Sequence, residues 1–240
     1  MALPMMSTPT YTMVVPSTDK TVKYRPFLVK EEKALLIAQQ SEDPAVMVDT
    51  LKNVVKDCVL DDIDLNKLAT FDLEYMFVQI RGKSVGETID LVLSCDDDHG
   101  ELNEKAKVNY TINLNELAVN KNPEHTNKIA LYDNVGVVMK YPSVHDLKKL
   151  QGTDENDMER VFEIMALSID YIYDSNEIYY AKDQKHEELM QFLGNLSSKQ
   201  FISIQKFFET MPKLSHKVVY DCPVCGKHHD KLLEGIQSFF

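Results

Sequence analysis

The chain has 240 residues, of which 44% are hydrophobic and 27% charged, a composition that predicts a globular protein and argues against a disordered chain. Its formal net charge of -12 opposes binding to phosphate backbones, so we expect no nucleic-acid partner. Its apolar runs are far shorter than a bilayer-spanning helix, so we also expect no membrane partner.

The first predicted elements are an N-terminal arm or hairpin over residues 1–27 and a helical part over 28–86. Two β-rich runs, 11–15 and 21–24, flank a turn of composition Pro-Ser-Thr-Asp-Lys. Apolar residues at helical spacing predict helices over 28–40, 44–60 and 71–81. Cys58 lies on the apolar face of the second helix, and we expect it in the core.

The middle of the chain, residues 87–141, changes to the alternating pattern of strands. Strands are predicted over 88–94, 108–114, 129–132 and 135–141, the last two around an Asp133-Asn134 turn. We therefore expect a small antiparallel sheet inserted between helical parts.

Helical periodicity returns after Pro142 and predicts a second helical part over 142–212. Its helices are expected over 144–150, 157–173, 186–193 and 197–210, and Ser197 with Gln200 forms a capping box. A C-terminal part, 213–240, follows. The expected fold class is α+β: mostly helical, with a small antiparallel β-sheet insert in the middle and a C-terminal zinc-knuckle-like β-hairpin.

The C-terminal part contains the sequence Cys-Pro-Val-Cys-Gly, in which Cys222 and Cys225 are separated by two residues. This spacing places two thiolates on one turn, and Gly226 permits the tight backbone that turns amide groups toward the sulfurs. We interpret the pair as half of a structural zinc site. A reduced turn without metal and a thioredoxin-like redox pair are the alternatives.

A zinc ion needs two more ligands than the Cys-x-x-C pair supplies. His228 and His229 are near in sequence, but adjacent side chains of a strand diverge, so one of them is a better candidate than both. Cys95 and His99, at the end of a predicted strand, are the other candidates. The sequence leaves the choice among these four residues open.

Other sequence features favour a binding protein over an enzyme. The short motifs typical of nucleotide-binding and hydrolytic enzymes are missing from the sequence, so we expect no small-molecule substrate. The N-terminus lacks the pattern of a secretory signal, and the cysteine spacing is not that of a disulfide-rich domain, which predicts an intracellular protein. The alternatives are a zinc-dependent or thiol-redox enzyme, and a nucleic-acid-binding adaptor that uses the knuckle.

Several segments together resemble a known family. They are KYRPFLVKEEK (23–33), FDLEY (71–75) continuing to Arg81, SVGE (84–87), and the CPVCG turn with the terminal EGIQSFF. These segments are distributed along nearly the whole chain. On their evidence, the chain resembles the baseplate hub subunit family of T-even-like contractile-tailed bacteriophages.

The resemblance implies a virus-encoded, non-enzymatic protein that helps to build the central hub of the tail baseplate, as a hub component or an assembly factor. Its implied partners are other phage baseplate hub and tail proteins. Its implied location is the host cytoplasm during assembly, and the resemblance leaves open a place in the finished virion tail baseplate.

Aromatic residues near the two ends are candidates for contacts with such partners. Tyr24, Arg25 and Phe27 could form a docking segment, or they could belong to an N-terminal strand packed on the protein's own core. Phe239 and Phe240 could anchor in a partner's groove, although packing in the core is the favoured interpretation.

Overall fold

The computed structural model describes residues 7–41, 43–149 and 157–239. The helices are α1 (Val29–Ser41), α2 (Pro44–Cys58), α3 (Thr70–Ser84), α4 (Val144–Lys149), α5 (Asp157–Leu167), α6 (His186–Gly194) and α7 (Ser198–Thr210). The strands are β1 (Tyr11–Val15), β2 (Lys20–Tyr24), β3 (Thr88–Ser94), β4 (Lys107–Asn113), β5 (Ala118–Asn120), β6 (Lys128–Tyr132), β7 (Val135–Met139), β8 (Ile169–Tyr173), β9 (Ile178–Tyr180), β10 (Lys213–Asp221) and β11 (His228–Glu234).

The α+β class is confirmed, because helices and small antiparallel sheets occur together. The expectation of a mostly helical chain is not confirmed, since strands run from the N-terminal hairpin to the C-terminal one. Among the helices described, none has the length and apolar composition to cross a membrane.

The chain divides into two compact units. The first comprises the described residues of 1–63, 71–120 and 213–240, and the second those of 64–70 and 121–212. Residues distant in sequence therefore share the first unit. The division into five consecutive segments that the sequence suggests stays a prediction.

Among its described residues, the first unit contains three antiparallel sheets. The predicted N-terminal hairpin forms between β1 and β2, β3 pairs with β4, and β10 pairs with both β11 and β5. Helix α3 contributes Val78 to the core of this unit, where it packs with residues from the strands and the C-terminus. The other members of that core are Ile89, Ile112, Leu114, Leu117, Leu214, Val218 and Phe239.

The expected single insert over 87–141 is distributed over three sheets. The β3–β4 pair forms a sheet of its own, β5 joins β10, and β6 and β7 join β8 and β9 in the second unit. Four of these five strands were predicted from their local sequence, and they pair as β3–β4 and β6–β7 within the segment. However, β5 pairs with β10 and β7 also pairs with β8, and both of these partners lie outside the segment. Pairing depends on which strand edges meet in three dimensions, which local alternation does not specify.

One helix predicted in the second unit is too long. Residues 157–173 were expected to be helical throughout, but α5 ends at Leu167 and residues Ile169–Tyr173 form β8, between β7 and β9. The run Ile-Asp-Tyr-Ile-Tyr is rich in β-branched and aromatic residues, and its alternation competes with helical spacing in so short a stretch. The capping box of Ser197 and Gln200 at the start of α7 is confirmed.

Candidate metal centre

The first half of the candidate site is the segment that follows β3. Cys95 comes directly after the last residue of this strand, and His99 precedes a short 3-10 helix, Gly100–Ala106. The Asp98 carboxylate accepts hydrogen bonds from the Gly100 amide (2.9 Å) and the Asn103 side chain (2.8 Å), while the His99 amide donates to Asn103 (2.8 Å). These bonds shape the segment so that Cys95 and His99 stand at one end of the β3–β4 hairpin.

The second half is the turn between β10 and β11. The Gly226 amide donates to the Cys222 carbonyl oxygen (2.8 Å), and the Cys222 amide donates to the Lys227 carbonyl oxygen (2.9 Å). Gly226 has a φ of 71°, a left-handed conformation that favours glycine. The Val224 amide points at the Cys222 sulfur at 3.4 Å. The turn therefore has the amide-to-sulfur geometry that the Cys-x-x-C-Gly sequence predicts.

Ion pairs connect the two halves, both of which belong to the first unit. Lys231 Nζ lies 2.6 Å from Asp96 Oδ1, and Lys227 Nζ lies 2.6 Å from Asp97 Oδ1. Sequence reasoning missed these four residues, because nothing in their local sequence indicates which opposite charge lies across the fold. These pairs help to place the Cys-x-x-C turn against the segment after β3.

Four potential ligands converge where the halves meet. The sulfur atoms of Cys95, Cys222 and Cys225 and a ring nitrogen of His99 all lie within 4.8 Å of one another. Cys95 Sγ is 3.9 Å from Cys225 Sγ, and Cys222 Sγ is 3.5 Å from His99 Nε2. Cys222 is buried, Cys225 is exposed, and the other two are half-buried. This group of donors could hold a metal ion.

The two histidines nearest the Cys-x-x-C pair lie outside this group of four. His228 is exposed, and its Nδ1 lies 2.7 Å from Asp221 Oδ1. His229 is buried: its ring stacks on Tyr220 with the ring centroids 4.8 Å apart, and its Nε2 lies 3.2 Å from Cys95 Sγ. The structure thus puts His229 beside the cluster and turns His228 toward its strand partner.

The electrostatic environment differs between the two buried or half-buried thiols. Burial raises the pKa of Cys222, but hydrogen bonds from the Cys225 and Val224 amides, then from the Cys225 and Cys95 side chains, outweigh it and lower the pKa to about 6. The pKa of Cys95 is raised. Burial is the largest cause, a hydrogen bond from the Asp97 amide opposes it, and the neighbouring Cys222 and Cys225 raise the pKa further. Cys222 is therefore available as a thiolate, the form that binds metals, at neutral pH.

The residues suggested as partner contacts lie mostly inside the protein. Tyr24 is 2% exposed, Phe27 9% and Phe239 1%. These values agree with the alternative interpretation, in which the three side chains pack in the protein's own core. The Arg25 guanidinium pairs with Glu31 at 2.8 Å. Phe240 lies outside the described residues, and a partner contact at any of these five positions stays a prediction.

The remaining cysteine has a different role. Cys58 is fully buried at the end of α2, as predicted, and burial is the largest of the effects that raise its pKa to about 11. A thiol with so high a pKa stays protonated and unreactive at neutral pH. Cys58 is thus part of the hydrophobic core.

Comparison with known proteins links the chain to one family. Residues 8–240 match the model of a family described as T4 bacteriophage base plate protein. The baseplate hub assembly protein gp26 of Enterobacteria phage T4 is 22% identical over 228 residues, which cover 92% of this chain and 93% of that protein. No solved structure matches the chain.

Proposed function

The chain belongs to the family of T4 bacteriophage base plate proteins, and we propose that it helps to assemble the central hub of a phage tail baseplate. In this role it binds other hub and tail proteins and catalyses no reaction. The observation that carries the proposal is the extent of the likeness to a baseplate hub assembly protein, 92% of this chain and 93% of that one. A likeness of this extent involves nearly the whole relative and is not confined to one shared module.

The net charge supports a protein partner over a nucleic acid. At a formal charge of -12, the chain repels phosphate backbones, and binding to them would need a local basic surface that overrides this field. An adaptor that binds nucleic acid through the Cys-x-x-C turn is also disfavoured, because the two lysines beside that turn, Lys227 and Lys231, already pair with Asp97 and Asp96.

A groove in the first unit is the surface that we assign to a partner. It has a volume of about 440 Å³ between α1, α2 and α3, and Leu36, Met47 and Phe77 are among the apolar residues that line it. Leu36 is 55% exposed, and the neighbouring Ile37 is 56% exposed. Burying apolar surface contributes about 25 cal/mol per Å². We therefore propose that an apolar segment of a hub protein occupies this groove.

A deletion of the gene in its phage tests the proposed function. We expect hub assembly to stop without the protein, and a plasmid copy of the wild-type gene to restore complete hubs, counted by electron microscopy of lysates. Complete hubs in normal number in the deletion lysate would refute the proposal.

The location of the protein separates an assembly factor from a hub component. We propose that the protein acts in the host cytoplasm during assembly. Quantitative mass spectrometry of purified virions, compared with the lysate, measures what remains in the tail. A few copies per particle indicate a hub component, while depletion from virions indicates a factor that leaves after assembly.

A further inference from the structure

We propose that the ends of the β3–β4 and β10–β11 hairpins together bind one zinc ion, through the sulfurs of Cys95, Cys222 and Cys225 and the Nε2 of His99. This inference goes beyond hub assembly, and its tests use the purified protein alone. The two proposals can therefore fail independently.

Two of the six distances between the donor atoms match a tetrahedral zinc site. With Zn–S bonds of about 2.3 Å and Zn–N bonds of about 2.0 to 2.1 Å, tetrahedral angles separate two sulfurs by about 3.8 Å and a sulfur from a nitrogen by about 3.6 Å. The corresponding separations here are 3.9 Å for Cys95 and Cys225 and 3.5 Å for Cys222 and His99. The other pairs lie within 4.8 Å, so an ion fits among the four atoms once those pairs close by up to about 1 Å.

The same distances argue against a disulfide. A bonded pair of sulfurs is about 2.05 Å apart, whereas the Cys95 and Cys225 sulfurs are separated by 3.9 Å. All four cysteines are free thiols in the structure. Zinc binding needs no oxidant: the cysteine ligands that carry protons release them to solvent and coordinate as thiolates.

His229 completes the site as a neighbour of a ligand. A zinc-bound Cys95 thiolate can only accept hydrogen bonds, so the His229 Nε2 at 3.2 Å carries the hydrogen and donates it. A second-layer hydrogen bond of this kind orients the ligand and balances part of the negative charge of its thiolate. The buried position of His229 fits this supporting role.

The donor set points to zinc and to a structural role. Three thiolates and one imidazole are soft ligands typical of structural zinc sites, whereas calcium and magnesium prefer oxygen. Four protein ligands also leave no open position for a water molecule or a substrate. The ion would cross-link segments more than a hundred residues apart in sequence, so its binding free energy would add to the stability of the folded chain.

Metal analysis of the purified protein tests the ligand set. Protein prepared under reducing conditions without chelator is expected to contain about one zinc per chain. His99→Asn should lose most of this zinc. His228→Asn is the matched control and should keep the zinc, because His228 is an exposed histidine near the site that is not a proposed ligand. His99→Cys restores a fourth soft ligand and should also keep the ion, which separates loss of a ligand from loss of folding.

Cobalt gives a second readout on the wild-type chain. We expect Co²⁺ to replace the zinc and to produce the intense visible absorption of a tetrahedral thiolate site, which His99→Asn should weaken strongly. Zinc near zero together with no such absorption would overturn the proposal, as would equal zinc in wild type and His99→Asn. A loss of zinc in His228→Asn as large as in His99→Asn would overturn the assignment of His99.

Discussion

The hydroxyl of Tyr220 donates a hydrogen bond to the carbonyl oxygen of Ser94 over 2.8 Å. Ser94 immediately precedes Cys95, and Tyr220 lies two residues before Cys222. One hydrogen bond thus joins the ends of β3 and β10, the two strands that immediately precede these cysteines. Tyr220 is also 6% exposed and stacks on His229, so its position is well determined by packing.

Tyr220→Phe removes this hydrogen bond and keeps the stacked ring. The Ser94 carbonyl oxygen then loses a donor, and we expect the free energy of unfolding to fall by about 1 kcal/mol. Urea denaturation followed by circular dichroism measures the change. Tyr132→Phe is a suitable control, because Tyr132 is 68% exposed. The urea concentration at which this variant is half unfolded should equal the wild-type value. Equal midpoints for the two variants would contradict the role given to Tyr220.

Removal of the proposed zinc ion should destabilise the wild-type protein. Binding free energy at a site that the unfolded chain lacks is also folding free energy, so a chelator is expected to lower the melting temperature. Cys225→Ser should melt lower than wild type without chelator and should respond little to its addition. The measurement is differential scanning calorimetry with and without chelator. A wild-type melting temperature that is unchanged by the chelator would count against a stabilising ion.

The Arg25–Glu31 pair predicts a loss of stability in acid. Burial raises the pKa of Glu31, but hydrogen bonds from the Arg25 side chain, the Leu28 amide and Lys30 outweigh it, so the pKa lies below its ordinary value of 4.5. The folded protein therefore prefers the charged carboxylate. This stabilisation is present above about pH 4.5 and is lost as the pH falls through the lowered pKa of the folded state.

Glu31→Gln tests this pair. At pH 7 we expect the variant to be less stable by about 1 to 3 kcal/mol, because a hydrogen bond to a charged group is weakened at a side chain that is 4% exposed. The difference between the two proteins should shrink as the pH falls below 4.5, when the wild-type carboxylate takes up its proton. The test is to measure the unfolding free energy of both proteins over this pH range. A difference that grows in acid would show that the pKa of Glu31 is not lowered by folding.

Leu36→Asp should impair hub assembly without unfolding the protein. Leu36 lines the groove assigned to a partner but is 55% exposed, so a charge there costs little in the free protein and opposes docking of an apolar segment. Ile202→Asp is the matched control, since Ile202 is a 61% exposed apolar residue on helix α7. Complementation of the gene deletion gives the readout. Equal numbers of complete hubs with both variants, at normal melting temperatures, would exclude this groove as the docking surface.

Much of the secondary structure was predictable because its causes are local. The N-terminal hairpin follows from two β-rich runs around a turn, and helix α7 follows from apolar spacing and a capping box that lies within four residues. The buried position of Cys58 followed from its place on the apolar face of α2. The resemblance of segments along the chain also identified the family, which the match over residues 8–240 confirms.

Strand partners were less predictable, because pairing is a long-range property. Residues 169–173 were predicted to continue helix α5, but they pair with β7 and β9 and form a strand. In the same way, β5 carries no local signal that its partner is β10, more than ninety residues later. Burial against a neighbouring edge supplies the free energy that selects one of the locally allowed conformations.

The amino-acid sequence by itself determined the chemistry of the candidate site: the Cys-x-x-C turn, its glycine, and a short set of further ligands. Only the tertiary structure decided which of these side chains lie together, bringing Cys95 and His99 to the turn and directing His228 to Asp221. The physical reason is that ligation depends on distances of a few ångströms between atoms, and such distances across a fold depend on the packing of both hairpins, not on spacing along the chain.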